Sequence, residues 1–224
     1  MENKPTLSIV AGPNGAGKST FSRELIPPGV EIWDMDALYL KAQKDFPYMD
    51  SEVWTNIGNQ QFEEGLEKSF MARESVAFET NYRTEWIRRD YLERFQGAGF
   101  TLRLFCFGLD YLEDSAKRVE KRVLKGGHDV HRESREYNFT MGPVFMKKDL
   151  PLYDQVIFLE ARQFSLQVVG MLKKEGKERI QILDPPLWYE RDYQQKVDEL
   201  YPYTSLKGAI AYSSVLSTGK GYRI

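Results

Sequence analysis

Residues 12–19 read Gly12-Pro13-Asn14-Gly15-Ala16-Gly17-Lys18-Ser19, a full match to the pattern G-x-x-x-x-G-K-[ST]. The context is the one this motif requires. The apolar run from Thr6 to Ala11 predicts a buried strand before it, and Ser19 to Ile26 predicts a short helix after it, stopped by Pro27-Pro28-Gly29. Glycines let backbone N–H groups curl round phosphate oxygens without Cβ clashes, and the following helix turns its positive end toward the anion. This feature confines the chain to an α/β architecture with a phosphate site at the carboxyl edge of its first strand. Gly12, Pro13, Asn14, Gly15, Ala16, Gly17, Lys18, Ser19 and Thr20 are the expected nucleotide-binding residues. Lys18 is placed to reach the β- and γ-phosphates of ATP, and Ser19 to ligate Mg²⁺.

The rest of the chain repeats the strand–helix alternation. Strands are predicted over 30–33, 75–78, 100–107 and 155–160, with helices over 37–44, 52–73, 84–95 and 111–124 between them. A polar loop from Lys125 to Arg135 and a weak helix over 139–148 follow the fourth strand and its helix. The segments 166–173 and 178–183, joined by Lys174-Glu175-Gly176-Lys177, read as a hairpin, and Pro185-Pro186 opens a helix to about Tyr201. The expected fold is a parallel sheet of about five strands with helices on both faces, an arginine-bearing lid and a C-terminal hairpin and helix appendage. Residues 1–184 are read as one P-loop domain with the lid at about 118–148, and 185–224 as a C-terminal helix and tail.

Polar residues just past the strand ends are the first candidates for chemistry. Asp34 and Asp36 follow the second strand, and either could serve a metal ion, accept a hydroxyl proton, or cap the next helix, a role for which Asp36 is placed. Glu79, Thr80, Asn81 and Arg83 follow the third strand and form a plausible hydroxyl- and phosphate-binding set. Arg118 and Arg122 lie one turn apart on a predicted helix, and Arg132 and Arg135 follow in the loop. Such arginines fit a phosphate-neutralising lid, and equally a solvated charged face.

Composition removes several classes. With 31 Lys and Arg against 33 Asp and Glu the chain carries a net charge of −2, which gives no domain-wide footprint for nucleic acid. The single cysteine, Cys106, sits in an apolar run and reads as core, and with two histidines the chain has too few soft ligands for a structural zinc site. No apolar stretch approaches the length needed to span a bilayer, and the first residues do not read as a signal peptide, so a cytoplasmic protein is expected. The loop wording is shared with ABC-transporter ATPases. The chain lacks their Leu-Ser-Gly-Gly-Gln-type signature and a hydrophobic strand ending in Asp-Glu.

Four segments together are similar to the zeta-toxin-like family of P-loop kinases, in its bacterial branch often labelled "predicted ABC-type ATPase". They are Gly12 to Thr20, Asp34-Met35-Asp36, Phe78-Glu79-Thr80, and Arg118-Val119 followed by Arg122 to Val130 with its Gly-Gly-His-Asp-Val wording. The resemblance implies a kinase with a five-stranded parallel sheet that uses ATP and Mg²⁺ and takes a small-molecule acceptor. It implies Asp36 as the base that activates a substrate hydroxyl, and substrate contacts from Glu79, Asn81 and Arg83. It further implies one helix arginine and one lid arginine on the transferring phosphoryl group, here Arg122 and Arg135, with Arg118 and Arg132 in reserve. Members phosphorylate UDP-N-acetylglucosamine or NAD, and an antitoxin protein is the partner the family suggests. Past Val130 the chain departs from the family, reading His131-Arg132-Glu133-Ser134-Arg135. Two rival readings share the loop: an NTPase or nucleic-acid 5′-kinase, and a binding module in which ATP only switches shape.

Overall fold

The computed structural model describes residues 4–202 apart from 125, 127, 128, 163 and 164. The expected tail beyond 202 and part of the expected lid, including Lys125 and His128, therefore lie outside the described residues. A single sheet has the order β2-β3-β1-β4-β5-β6-β7. Its strands are β1 (Thr6–Ala11), β2 (Glu31–Asp34), β3 (Val76–Thr80), β4 (Thr101–Phe107), β5 (Gln155–Ala161), β6 (Leu166–Lys173) and β7 (Glu178–Gln181). The first five pair in parallel and the last two add an antiparallel hairpin at one edge. β1 lies at the centre of the five parallel strands, between β3 and β4, so the loop at its carboxyl end opens onto the middle of the parallel part of the sheet.

Alternation along the strands divides the core in two. Leu7, Ile9, Phe78, Leu102, Leu104 and Phe158 face one layer, while Val10, Ala77, Phe105, Phe107 and Ile157 face the other. The first layer is covered by α3 (Ser51–Ala72), α4 (Glu93–Gly97, preceded by a π-helical turn Arg88–Leu92) and α6 (Arg132–Asp149). The second receives Phe21 of α1 (Lys18–Leu25) and the partly buried Phe139. Parallel strands covered on both sides are expected to be largely apolar, and these are over most of their length, with Ser8, Glu79 and Arg103 as polar residues within them.

The C-terminal helical segment runs as α7 (Leu187–Tyr189), a π-helical turn Glu190–Gln194, and α8 (Gln195–Leu200). Trp188, Tyr189, Tyr193 and Val197 are buried in the larger core layer, with Phe158 against the Tyr189 ring edge at 4.9 Å between centroids. Asp110, just past β4, accepts from the Trp188 N–H at 2.9 Å.

One expectation is corrected. Arg132 and Arg135 do not lie in a loop: α6 begins at Arg132 and runs unbroken to Asp149, although Pro143 removes one of its backbone donors. Its buried stripe is Asn138, Gly142, Pro143, Met146 and Asp149. Those residues have helical spacing but are mostly polar or small, so hydrophobic periodicity marks only part of the helix.

Candidate active site

Gly12, Gly15 and Gly17 have φ of 151°, 76° and 98°, the left-handed conformations for which the motif needs glycine. A Cβ at Gly12 would drive into the Phe107 carbonyl oxygen of β4, so the loop can approach the neighbouring strand only without one. Gly17 stands immediately before α1, and the first-turn amides of that helix border the loop. Lys18 folds back over the loop: its Nζ donates to the carbonyls of Gly12 (2.8 Å) and Pro13 (3.1 Å) and to Asn81 Oδ1 (2.9 Å). Burial lowers the Lys18 pKa, against the opposing pull of Glu79, Asp36 and Asp34.

Glu79 is buried inside β3, and its Oε2 accepts from the Ser19 hydroxyl at 2.6 Å. Strand pairing puts Asp34 directly beside Glu79. Asp34, not Asp36, caps the following helix α2 (Met35–Asp45): its Oδ1 accepts from the N–H groups of Asp36 (2.9 Å) and Ala37 (3.4 Å). The chain turns into the helix two residues earlier than the sequence suggests, which gives Asp34 the cap and leaves Asp36 in the first turn. Asp36 is exposed to the cleft, and its carboxylate makes no hydrogen bond among the described residues.

Burial, together with Glu79 and Asp36, pushes Asp34 up to about 6. Among the described residues no group of three or more His, Cys, Asp or Glu is arranged to hold a metal by itself; the Ser19 hydroxyl and the Glu79 carboxylate are hard-oxygen donors that could hold Mg²⁺ together with nucleotide phosphates. A raised carboxylate pKa has a thermodynamic sign. The folded state holds its proton more tightly than the unfolded chain, so this group's contribution to stability is lost as pH rises from about 4 to about 6. Asp34→Asn keeps a capping oxygen and removes the charge. It is expected to raise the melting temperature of the metal-free protein at pH 7.5, with a ceiling of about 3 kcal/mol. Scanning calorimetry at pH 5 and pH 7.5 checks this, and the gain should shrink at the lower pH.

These groups open on one cleft of about 1160 Å³. Asn14, Gly15, Gly17, Lys18, Ser19 and Thr20 line it on the loop side, while Gly12, Pro13 and Ala16 are buried and do not line it. Asp34, Asp36, Glu79, Thr80, Asn81 and Arg83 line the other wall, above an apolar floor of Met35, Phe62, Phe78 and Trp86. The Thr80 hydroxyl is engaged with the Tyr82 N–H at 3.0 Å, so it shapes the turn. From α5 (Leu112–Val123) come Arg118, Lys121 and Arg122. Arg118 reaches the carbonyls of Gly15 (3.4 Å) and Ala161 (3.3 Å), tying the loop to the end of β5. Arg122 is close enough for its charge to bear on Lys18.

Arg132 and Arg135 are not among the residues lining the cleft. Arg132 pairs with Glu136 one turn on, at 2.7 Å, on the outer surface of α6, and Arg135 sits on the first turn of the same helix. The cleft instead draws Arg162, just past β5, and Trp86. Both could have been found by the rule that drew attention to the first three strand ends: Arg162 follows a strand carboxyl end, and Trp86 lies six residues past another.

No family model matches the sequence, and no curated protein matches it. Solved structures do match in fold. A chain of the PezAT chromosomal toxin–antitoxin system of Streptococcus pneumoniae superposes with a TM-score of 0.56 at 15% identity, over 74% of this chain and 71% of that one. AvrRxo1-ORF1:-ORF2, solved with ATP, gives 0.61 at 15% identity, over 94% of this chain and 68% of that one. A candidate kinase from Chloroflexus aurantiacus gives 0.50 at 18% identity, over 62% and 78%.

Proposed function

Taking as premise that the chain has the fold of zeta-toxin-like and other P-loop kinases, we propose that it is an ATP- and Mg²⁺-dependent phosphotransferase acting on a hydroxyl of a small molecule. The observation that carries this reading is the convergence of Lys18, the Ser19–Glu79 pair and the uncommitted Asp36 carboxylate on one cleft. At about 1160 Å³ that cleft exceeds the usual span for a single ligand and has room for a nucleotide and an acceptor together.

In this mechanism the phosphates of ATP lie in the 12–20 loop. Lys18 exchanges a carbonyl or amide partner for β/γ-phosphate oxygens, and Arg122 faces the charge that develops on the γ-phosphoryl group. Mg²⁺, held by Ser19 and Glu79, would supply charge neutralisation at the phosphate oxygens. Asp36 accepts the proton of the acceptor hydroxyl as its oxygen bonds to the γ-phosphorus. The bond from that phosphorus to the β,γ-bridging oxygen breaks, and ADP leaves. Arg83, Asn81 and the Trp86 floor border the space left for the acceptor. Aromatic and aliphatic carbons beneath a guanidinium and polar oxygens suit a ring-bearing, anionic acceptor such as a nucleotide sugar. The likeness to a chain of a toxin–antitoxin system, and to the AvrRxo1 pair, supports an antitoxin-like protein partner. Among the described residues no helix is long and apolar enough to cross a membrane.

The direct test incubates the protein with γ-labelled ATP and a metabolite extract, with labelled oligonucleotide in parallel. A labelled small molecule supports the reading, and label on the oligonucleotide or on inorganic phosphate alone replaces it with a rival. The geometry also ranks the arginines. Arg122→Ala is expected to lower kcat by about 10- to 100-fold while ATP affinity stays within about three-fold. Arg135→Ala should change either by less than about two-fold, because it lies outside the cleft lining. Steady-state kinetics with calorimetric ATP titration separates the two.

A further inference from the structure

One face of α6 carries Asn138, Gly142 and Asp149, spaced by four and seven residues, so they follow one another about a turn and about two turns along the helix. Asn138 meets the phosphate-binding loop itself, while Gly142 and Asp149 meet the turn that follows β3. Asn138 Nδ2 donates to Asn14 Oδ1 at 2.8 Å, between two buried side chains. Gly142 lies against the backbone of Asn81: a Cβ there would sit 2.7 Å from the Asn81 carbonyl oxygen, closer than real side chains come. Asp149 Oδ2 accepts from the Tyr82 hydroxyl at 2.9 Å, the Tyr153 hydroxyl shares that proton network at 2.9 Å, and Arg88 pairs with Asp149 at 2.8 Å.

Tyr82 has a φ of 54°, left-handed backbone that a bulky side chain rarely adopts. Such a conformation persists where surrounding contacts over-determine it. Here the determinants are the buried hydroxyl clamp on Asp149 and the Thr80 hydroxyl that receives the Tyr82 N–H. The consequence falls on the residue before it, Asn81, whose amide oxygen is held on Lys18 Nζ.

The three N–H groups of the Lys18 ammonium match three acceptors. Two are carbonyls of the loop itself. The third, Asn81, comes from another strand end, and a phosphate must displace at least one of the three. We infer that Gly142 and Tyr82 are positioning residues that hold Asn81 as a latch on Lys18, released when a phosphate oxygen takes its place. The inference rests on the reading that the 12–20 loop binds ATP.

The latch has a signature that a purely supporting role lacks. Without the Asn81 amide, one proton of a half-buried ammonium loses its protein acceptor, a loss felt by the protein without ATP, while bound ATP supplies a phosphate oxygen in either case. Removing the latch therefore destabilises the protein without ATP and tightens nucleotide binding. The test is calorimetric titration of the full chain with ATP, with magnesium and with a chelator. The variants are Asn81→Ala, Gly142→Ala, and the two combined. Asn81→Ala should tighten ATP binding by about three- to ten-fold while lowering the melting temperature. Gly142→Ala should shift affinity in the same direction and add little in the Asn81→Ala background, because it acts through that side chain. Should Gly142→Ala fail to fold, Tyr82→Phe takes its place in the cycle. Unchanged or weaker ATP binding by Asn81→Ala, or effects that simply add, would overturn the latch. A wild-type protein that does not bind ATP removes the functional reading and the latch with it, whereas wild-type binding with unaffected variants removes the latch alone.

Discussion

Asp36→Asn is expected to cut phosphoryl transfer by roughly 10²–10⁴-fold, the span of a lost general base, while ATP affinity stays within a few-fold. The structure gives the reason this carboxylate stands apart from its two neighbours. Glu79 is committed to the Ser19 hydroxyl at 2.6 Å, and Asp34 to the first amides of α2. Asp36 alone of the three makes no hydrogen bond among the described residues, and it faces the cleft from the first turn of α2. The amide of Asn keeps size and polarity but accepts no proton at neutral pH. Single-turnover rates with γ-labelled ATP, set beside calorimetric ATP affinity, check the split. Asp34→Asn should slow transfer less than Asp36→Asn; the reverse order would move the base to Asp34.

Lys18→Ala is expected to abolish detectable transfer, with a loss of about 10²–10³-fold or more, and to leave a folded protein. The ammonium lies back over the loop, with Gly12, Pro13 and Asn81 around it. Its removal takes away a preorganised charge facing the phosphates and leaves Glu79, Asp34 and Asp36 without their nearest compensation. Alanine is well tolerated at the first position of a helix, and Lys18 is not part of either core layer, so circular dichroism should match the wild type. Wild-type turnover in this variant would refute the site.

The phosphate loop was legible because its chemistry is local. Three glycines at fixed offsets, a lysine and a serine state a backbone path and a charge within nine residues, and the flanking strand and helix follow the same short-range rules. The strands were legible for a related reason: apolar runs of four to eight residues bounded by Gly, Pro and Asp announce themselves wherever they fall. Strand ends then pointed to Asp34, Asp36, Glu79, Asn81 and Arg83, all of which line the cleft.

The second half of the site was less legible. Which aspartate caps α2 turns on where the chain leaves β2, a shift of two residues that decides whether Asp34 or Asp36 keeps a free carboxylate. The lid arginines were ranked only through the resemblance, as Arg122 and Arg135 ahead of Arg118 and Arg132, since charges at helical spacing look alike whether they face phosphate or water. The start of α6 at Arg132 put the exposed Arg132 and the half-buried Arg135 in its first turn, outside the cleft lining, where Arg83, Arg118, Lys121, Arg122 and Arg162 stand.

The sequence by itself determined the α/β class, the anion-binding loop and the set of strand ends on which chemistry is placed, because each is written in contiguous residues. Only the tertiary structure decided how those pieces are used. Asn81 meets Lys18 across 63 residues, Asn138 meets Asn14 across 124, and Tyr82 meets Asp149 across 67. Polar side chains of this kind carry no periodic signal, and their partners are set by sheet order and by the register of α6 on the sheet. A hydrogen bond between distant residues exists only once packing has brought its two ends to within about 3 Å.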